Sequence, residues 1–347
     1  MEKVLDKAHF SRFLGDLVTK YKVIGPTKKG GATSTYTYTT FDYVKRVEDL
    51  EIDYKSSMLS PKRIYFPDSQ PLYKYEKNGQ NVKLEDLREV WDKERVLFGL
   101  RPCDITAILC LDKVFMEDSF VDHYYQDKRR KSIIIGLTCS ETRQHCFCSS
   151  LGSGPDIESG YDLLMTDIGD SYFFRARTDL GKELISADYF RNATDQDREL
   201  REAKLKKVKE RLSEKVDPAK IISVMADKYN DELWNEFSDN CFTCGACNMV
   251  CPTCHCFTII DKTSPDGSEG TRVLVWDSCH FERFAQMAGN LNMRGEKSSR
   301  FKHRLYHKFY YTAKQHGSVS CVGCGRCMEF CPSHIDVRAA LRRLQEG

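Results

Sequence analysis

Two cysteine runs of one design constrain this chain more than any other feature. The first reads Cys241-Phe-Thr-Cys244-Gly-Ala-Cys247-Asn-Met-Val-Cys251-Pro252. The second reads Cys321-Val-Gly-Cys324-Gly-Arg-Cys327-Met-Glu-Phe-Cys331-Pro332. In each, three cysteines are spaced by two residues, a fourth follows after three more, and a proline stands directly behind it. This is the pattern that holds a cubane iron–sulfur cluster. Three thiolates in a tight loop reach three corners of one cube. Gly245 and Gly325 let the backbone bend between ligands without a side-chain clash. Pro252 and Pro332 turn the chain away.

In two-cluster ferredoxins the fourth cysteine of each run binds the other cluster. The expected sets are therefore Cys241, Cys244, Cys247 and Cys331 for one cube, and Cys321, Cys324, Cys327 and Cys251 for the other. Such crossing requires the two loops to lie side by side. Zinc sites more often use two Cys-x-x-Cys pairs, and disulfide frameworks belong to small secreted chains.

The 347 residues suggest about two domains. Lys plus Arg number 53 and Asp plus Glu 51, a balance that argues against nucleic acid or an anionic membrane as the main partner. No apolar run approaches the length of a membrane span. Met1-Glu-Lys-Val-Leu-Asp-Lys lacks a signal-peptide pattern, so a cytoplasmic location is expected. Sixteen cysteines in a reducing compartment imply metal or redox chemistry.

Along the chain, residues 4–20 read as an amphipathic helix, and Tyr21–Ile24 as a strand stopped at Gly25-Pro26. Lys28-Lys29-Gly30-Gly31 reads as a loop without the P-loop pattern, and Thr35–Thr40 as an edge strand or hairpin. Pro61–Pro67 and Leu72–Tyr75 are short strand candidates. Arg95–Leu100 is a strand running into Arg101-Pro102-Cys103-Asp104 and a helix from Ile105 to Phe115. Lys131–Leu137 is a strand ending at Thr138-Cys139. Two strands thus each deliver a cysteine just past the carboxyl end, where α/β sheets place ligands. With His145-Cys146-Phe147-Cys148 close behind, Cys103, Cys139, Cys146 and Cys148 form a third possible set of four thiolates. Buried thiols or a zinc site are the alternatives. Cys110, inside an apolar helical stretch, reads as a core thiol.

Tyr161–Met165 and Ser171–Arg177 read as the last strands of this domain. Residues 194–216 form a charge-dense, exposed helix, and 218–237 one or two more. Cys254, Cys256 and Cys279 lie outside both runs. They read as packing and electrostatic tuning near the clusters, as part of another centre completed by His255 or His280, or as stand-ins for a ligand of one of the two runs. Phe281–Leu291 and Phe301–Gln315 look helical. His303, Arg304, His307 and Lys308 form a basic group expected on the solvated surface, unless it faces a negative partner or cofactor. Seventy positions separate Cys251 from Cys321, more than compact ferredoxins use, so a helical ferredoxin is expected.

Taken together, Cys103-Asp104, Cys139, Cys146-Phe-Cys148, Cys251-Pro-Thr-Cys254-x-Cys256, Trp276-x-Ser-Cys279, Met287-Ala-Gly289 and the Cys321–Cys327 loop resemble one family. It comprises the A subunit of anaerobic sulfite reductase and the beta subunit of sulfhydrogenase-type cytoplasmic NiFe hydrogenases. The resemblance spans roughly residues 60–340, with the order of motifs kept. It implies an electron-passing subunit beside an FAD-containing partner that oxidises NAD(P)H. The terminal partner would be a sirohaem sulfite reductase or a NiFe hydrogenase. It also implies a cluster at Cys103, Cys139, Cys146 and Cys148, and family positions for Cys254, Cys256 and Cys279 without a stated role.

The expected fold is α+β. An N-terminal α/β domain (1–193) carries one [4Fe-4S] cluster, a helical linker spans 194–237, and an all-α ferredoxin domain (238–347) carries two. No Gly-x-Gly-x-x-Gly follows a strand and opens a helix, so flavin and nicotinamide are expected on a partner. The expected role is a relay through three [4Fe-4S] clusters without catalytic residues of its own. A cluster-based reductase of disulfides or sulfur compounds and a zinc-bound assembly scaffold are the rivals.

Overall fold

The computed structural model describes residues 1–30, 37–117, 119–212 and 215–346. Its strands, in chain order, are β1 (Glu2–Asp6), β2 (Lys22–Lys29), β3 (Tyr38–Val44), β4 (Ser69–Asn78), β5 (Asn81–Asp86), β6 (Arg95–Leu100), β7 (Ser132–Leu137), β8 (Leu163–Asp167), β9 (Ser171–Ala176), β10 (Arg191–Asn192), β11 (Phe257–Thr263) and β12 (Glu269–Trp276).

Eight of these form one sheet in the order β10-β1-β9-β8-β7-β6-β2-β3. The central strands β2, β6, β7 and β8 run parallel, and the flanking pairs are antiparallel. Every residue of β6 is buried, as a strand covered on both faces requires. Its side chains alternate between two cores. Val96 and Phe98 join Phe13, Leu14 and Leu17 of the helix Phe10–Lys20. Leu97 faces the other way, onto Ile105, Ile108 and Leu111 of the helix Pro102–Phe115. Because β6 and β7 are parallel neighbours, their carboxyl ends lie side by side, and Cys103 and Cys139 follow them.

A second, antiparallel sheet has the order β11-β12-β4-β5. It joins a hairpin from between the two cysteine runs to a hairpin from the N-terminal region, through seven paired positions from Glu269↔Glu76 to Val275↔Ser69. The C-terminal segment is therefore not all-helical. Thr-, Ile- and Val-containing stretches on either side of Pro265-Asp-Gly267 give it a β-hairpin.

The remaining helices pack around a third core. Ile221 and Met225 of Pro218–Met225 and Trp234 of Leu233–Ser238 meet Phe301, Leu305 and Phe309. Val337, Leu341 and Leu344 of Val337–Glu346 complete it. The helix Asp195–Glu210 begins in a reciprocal cap: Thr194 Oγ1 accepts from Asp197 N, and the Asp197 carboxylate accepts from Thr194 N at 2.8 Å.

Other expectations need correction. Val4 and Leu5 belong to β1, where consecutive side chains enter opposite cores, so the first helix begins only at Phe10. Strand β2 runs through Gly25-Pro26 to Lys29. It contacts β6 only over Lys22–Ile24 and pairs with β3 beyond. Lys62–Tyr65 is a short helix, whose Lys62 N donates to Ser60 Oγ at 3.2 Å. Segment 281–291 holds only two 3₁₀ turns, the second broken by Gly289 at φ +75°. Of the Thr/Tyr stretch at 35–40, Thr35 and Tyr36 lie outside the described residues, as does Gly31; Tyr38 opens β3, at the sheet edge.

Candidate metal centres

The structure brings fifteen of the sixteen cysteines together in groups, with Cys110 outside them. The N-terminal set begins with Cys103, in the first turn of the helix Pro102–Phe115, and Cys139, after β7. Cys146 and Cys148 join them from the following loop, where Cys148 opens a 3₁₀ turn capped by Gly152 at φ +66°. The Cys148 thiol feels both Cys139 and Cys146. Burial pushes Cys103 well above the usual thiol range and Cys139 up to about 11. Such thiols become thiolates only with a positive partner, which is what a metal supplies.

In the first run, Gly245 at φ +73° caps the short helix Ala246–Met249; in the second, Gly325 at φ +75° caps Arg326–Glu329. A Cβ on Gly245 would lie 2.6 Å from the Phe281 ring, and one on Gly325 would lie 2.7 Å from the backbone of His145. Both glycines are thus demanded by conformation and by space. Cys241, Cys244, Cys247 and Cys331 border one small cavity, together with Pro332. Cys251, Cys321, Cys324 and Cys327 border a second, together with Pro252. The fourth cysteine of each run thus stands with the other run. Cys327 borders both cavities. Backbone amides already face sulfur: Thr243 N donates to Cys241 Sγ, and Ile335 N to Cys331 Sγ, both at 3.4 Å. Burial raises Cys247 and Cys324 to about 12. Cys244 is exposed, beside Phe242 at 70 % exposure, so this end of the array reaches the surface.

The sets lie in series. Cys324 is a neighbour of Cys103 and Cys148, and its carbonyl lies 3.8 Å from Cys146 Sγ. Cys327 in turn neighbours Cys247. The first junction is tightly built. Phe147 N donates to Gly323 O at 2.9 Å, and Ser153 Oγ to Val322 O at 2.7 Å.

Sequence reasoning missed what locks that junction. Arg326 and Asp104 are both fully buried. Arg326 Nη2 donates to Asp104 Oδ2 at 2.9 Å and to Ser57 Oγ at 3.0 Å, Nη1 lies 2.9 Å from Asp104 Oδ1, and Nε donates to Ser57 O at 2.8 Å. Asp104 had been noted only as Cys103's neighbour in a motif. Its role needs the 222-residue jump to Arg326, which no local pattern reveals.

The basic group is also corrected. Arg304 and Lys308 are 6 % and 3 % exposed and face the thiols. Lys308 Nζ donates to Thr253 Oγ1 at 2.7 Å, and Arg304 Nε to Asn248 Oδ1 at 3.0 Å. A third buried cation, Lys62, reaches in from the N-terminal region. Burial lowers its pKa, and the thiols of Cys254, Cys251 and Cys256 oppose that. Cys110 is half-buried on the helix Pro102–Phe115.

Cys254 and Cys279 are buried, and Cys256 is partly exposed. Among the described residues, no three His, Cys, Asp or Glu side chains converge as ligands of a single ion. A cubane does not ask for that, since each thiolate binds its own iron. No helix among the described residues is long and apolar enough to cross a membrane.

Comparison with known proteins places the chain in a family. Residues 240–335 match a 4Fe-4S dicluster domain. No solved structure matches the chain. The beta subunit of sulfhydrogenase 2 from Pyrococcus furiosus is 31% identical over 350 residues, covering 99% of this chain and 98% of the relative. On that likeness, nearly end to end, the chain belongs to the family of sulfhydrogenase beta subunits.

Proposed function

We propose that this chain is the iron–sulfur electron-transfer subunit of an oxidoreductase complex, with three [4Fe-4S] clusters. Cys103, Cys139, Cys146 and Cys148 would hold the first. Cys321, Cys324, Cys327 and Cys251 would hold the second, and Cys241, Cys244, Cys247 and Cys331 the third. The observation that carries the reading is the serial placement of the three thiol sets, with the Cys324 carbonyl 3.8 Å from Cys146 Sγ and Cys327 bordering the same cavity as Cys247. Each bound cluster would accept and release one electron at a time.

The chain's own part is to fix order, spacing and charge. The Arg326–Asp104 pair clamps the loop of the second run onto the first set. Arg304 and Lys308 place positive charge beside Cys251, Cys254 and Cys247, which favours the more negative, reduced state of whatever those thiols hold. Burial keeps water from the junction, while Cys244 lies at the surface for contact with a partner.

The partners are an FAD subunit oxidising NAD(P)H and a terminal reductase. The relative's name, a sulfhydrogenase, favours a NiFe hydrogenase over a sirohaem sulfite reductase. The test is iron and acid-labile sulfide in anaerobically purified protein, with electron paramagnetic resonance of the reduced form. The reading expects at least about twelve iron atoms per chain. About four or eight would remove one or two of the proposed cubes.

A further inference from the structure

We propose that Cys254, Cys256 and Cys279 hold a fourth iron–sulfur centre, each thiolate binding one iron. The proposal rests on the iron–sulfur reading of the other three sets but uses none of their twelve cysteines.

The fold assembles these thiols from two segments. Cys254 and Cys256 follow Pro252, and Cys279 follows β12. The β11–β12 hairpin brings the segments together, with Phe257 opposite Trp276 and Asp277 N donating to Cys256 O at 2.9 Å. The Cys256 and Cys279 thiols stand close to one another, and the Cys254 thiol stands close to Cys251. Asn248, 2 % exposed, aims its Nδ2 at Cys279 Sγ at 3.0 Å and is held there by Arg304. A donor fixed on a sulfur favours the anionic form of that sulfur.

The second observation is charge. Lys62, Arg304 and Lys308 are 2 %, 6 % and 3 % exposed, and among the described residues none lies within ion-pair distance of a carboxylate. A buried cation needs an anion or it loses its proton. Arg304 is engaged at the first run, through Cys247 O and Asn248. Lys62 stands beside this fourth group of thiols. Its Nζ donates to Cys254 O at 2.8 Å and sits 4.1 Å above the Trp276 ring. Lys308 stands by Thr253, next to Cys254. Two cations therefore flank Cys254, and the thiols within their reach are Cys254 and Cys256 of this group and Cys251 of the first run. Three thiols cannot all be satisfied as disulfides, since one is always left over. They do not converge on one point as a zinc site would, and that is equally true of the other three sets. A cluster with three protein thiolates and one corner filled by another ligand satisfies the thiols and the cations together.

The experiment uses the full chain, reconstituted anaerobically with ferrous iron and sulfide. The wild type is compared with the triple variant Cys254→Ala/Cys256→Ala/Cys279→Ala and with Cys103→Ala as a control. The proposal expects about sixteen iron atoms falling to about twelve in the triple variant, with the paramagnetic signals of the other three centres retained. An iron content in the triple variant equal to that of the wild type overturns it. If circular dichroism shows the triple variant unfolded, Cys256→Ala alone is used, because that residue is partly exposed. One signal should then be lost or altered, and an unchanged spectrum and iron content overturns the proposal. Failure of Cys103→Ala to lose iron counts against the reading of the N-terminal set instead, so the two failures are told apart.

Discussion

Replacing Arg326 by methionine isolates the clamp between the two halves of the array. The substitution keeps most of the side-chain volume but leaves the Asp104 carboxylate fully buried, with only a 3.4 Å contact from Ser60 Oγ. It also removes the Arg326 donors to Ser57 O and Ser57 Oγ, leaving Ser57 O only the 3.3 Å bond from Ser56 Oγ. Removing one partner of a buried ion pair costs about 3–5 kcal/mol, because the other charge is stranded. Unfolding entropy of roughly 2.1 cal/mol/K per residue amounts to about 0.7 kcal/mol/K if the whole chain melts as one unit. The apparent melting temperature should therefore fall by roughly 4–7 °C, and by more if the N-terminal region melts alone. The assay is circular dichroism of the anaerobic holoprotein at one fixed scan rate, since cluster loss makes the transition irreversible. The partner variant Asp104→Asn and the double variant complete a cycle. Because the single changes share one pair, the double variant should lose less than the sum of the two, by about 1–3 kcal/mol. An Arg326→Met protein melting within a degree of wild type, or strict additivity in the cycle, would refute the clamp.

Other perturbations have defined outcomes. Gly323→Ala places a Cβ 2.7 Å from Phe147 C and Cys148 N at a backbone φ of +58°; it should cost at least about 2 kcal/mol and lower the iron bound by both adjoining sets. Asp197→Asn breaks the Arg191 pair and the helix cap and should cost about 1 kcal/mol, discounted because Arg191 is half-exposed. The Arg191 guanidinium holds the Asp197 carboxyl well below its usual range, so its stabilisation is complete above the unfolded value of about 4 and is lost as pH falls through the lower folded value. The difference in melting temperature between wild type and Asp197→Asn should therefore be flat from about pH 5 to 8 and shrink below about pH 4. Lys308→Met removes a positive charge beside Cys251 and Cys254, so one midpoint in a redox titration should move to more negative potential, by on the order of 60 mV for a tenfold change.

The legible parts of this chain were those written in short-range pattern. The ferredoxin runs carry their chemistry in spacing, and β6 and β7 announce themselves as apolar stretches ending at cysteines. What stayed hidden depends on partners far along the chain. Arg326 looks like any charged residue in a loop until Asp104 is placed against it. Arg304 and Lys308 read as surface charge, and Lys62 as one residue of a strand candidate, because local sequence cannot show that thiols stand beside them. The β11–β12 hairpin is hard to read from sequence because every residue of β11 is exposed, so its alternation marks no core. It finds its place by pairing β12 with β4, almost 200 positions upstream. Val4 and Leu5 fitted a helical stripe equally well, and the sheet decided between the two periods.

The central claim is that this polypeptide conducts electrons between other subunits. It is tested most directly in the purified complex, by the rate at which NAD(P)H reduces the terminal enzyme when this chain alone carries Cys324→Ala. The account predicts that this rate collapses while NAD(P)H still reduces an artificial dye at the flavin subunit. Terminal reduction at the wild-type rate would contradict it.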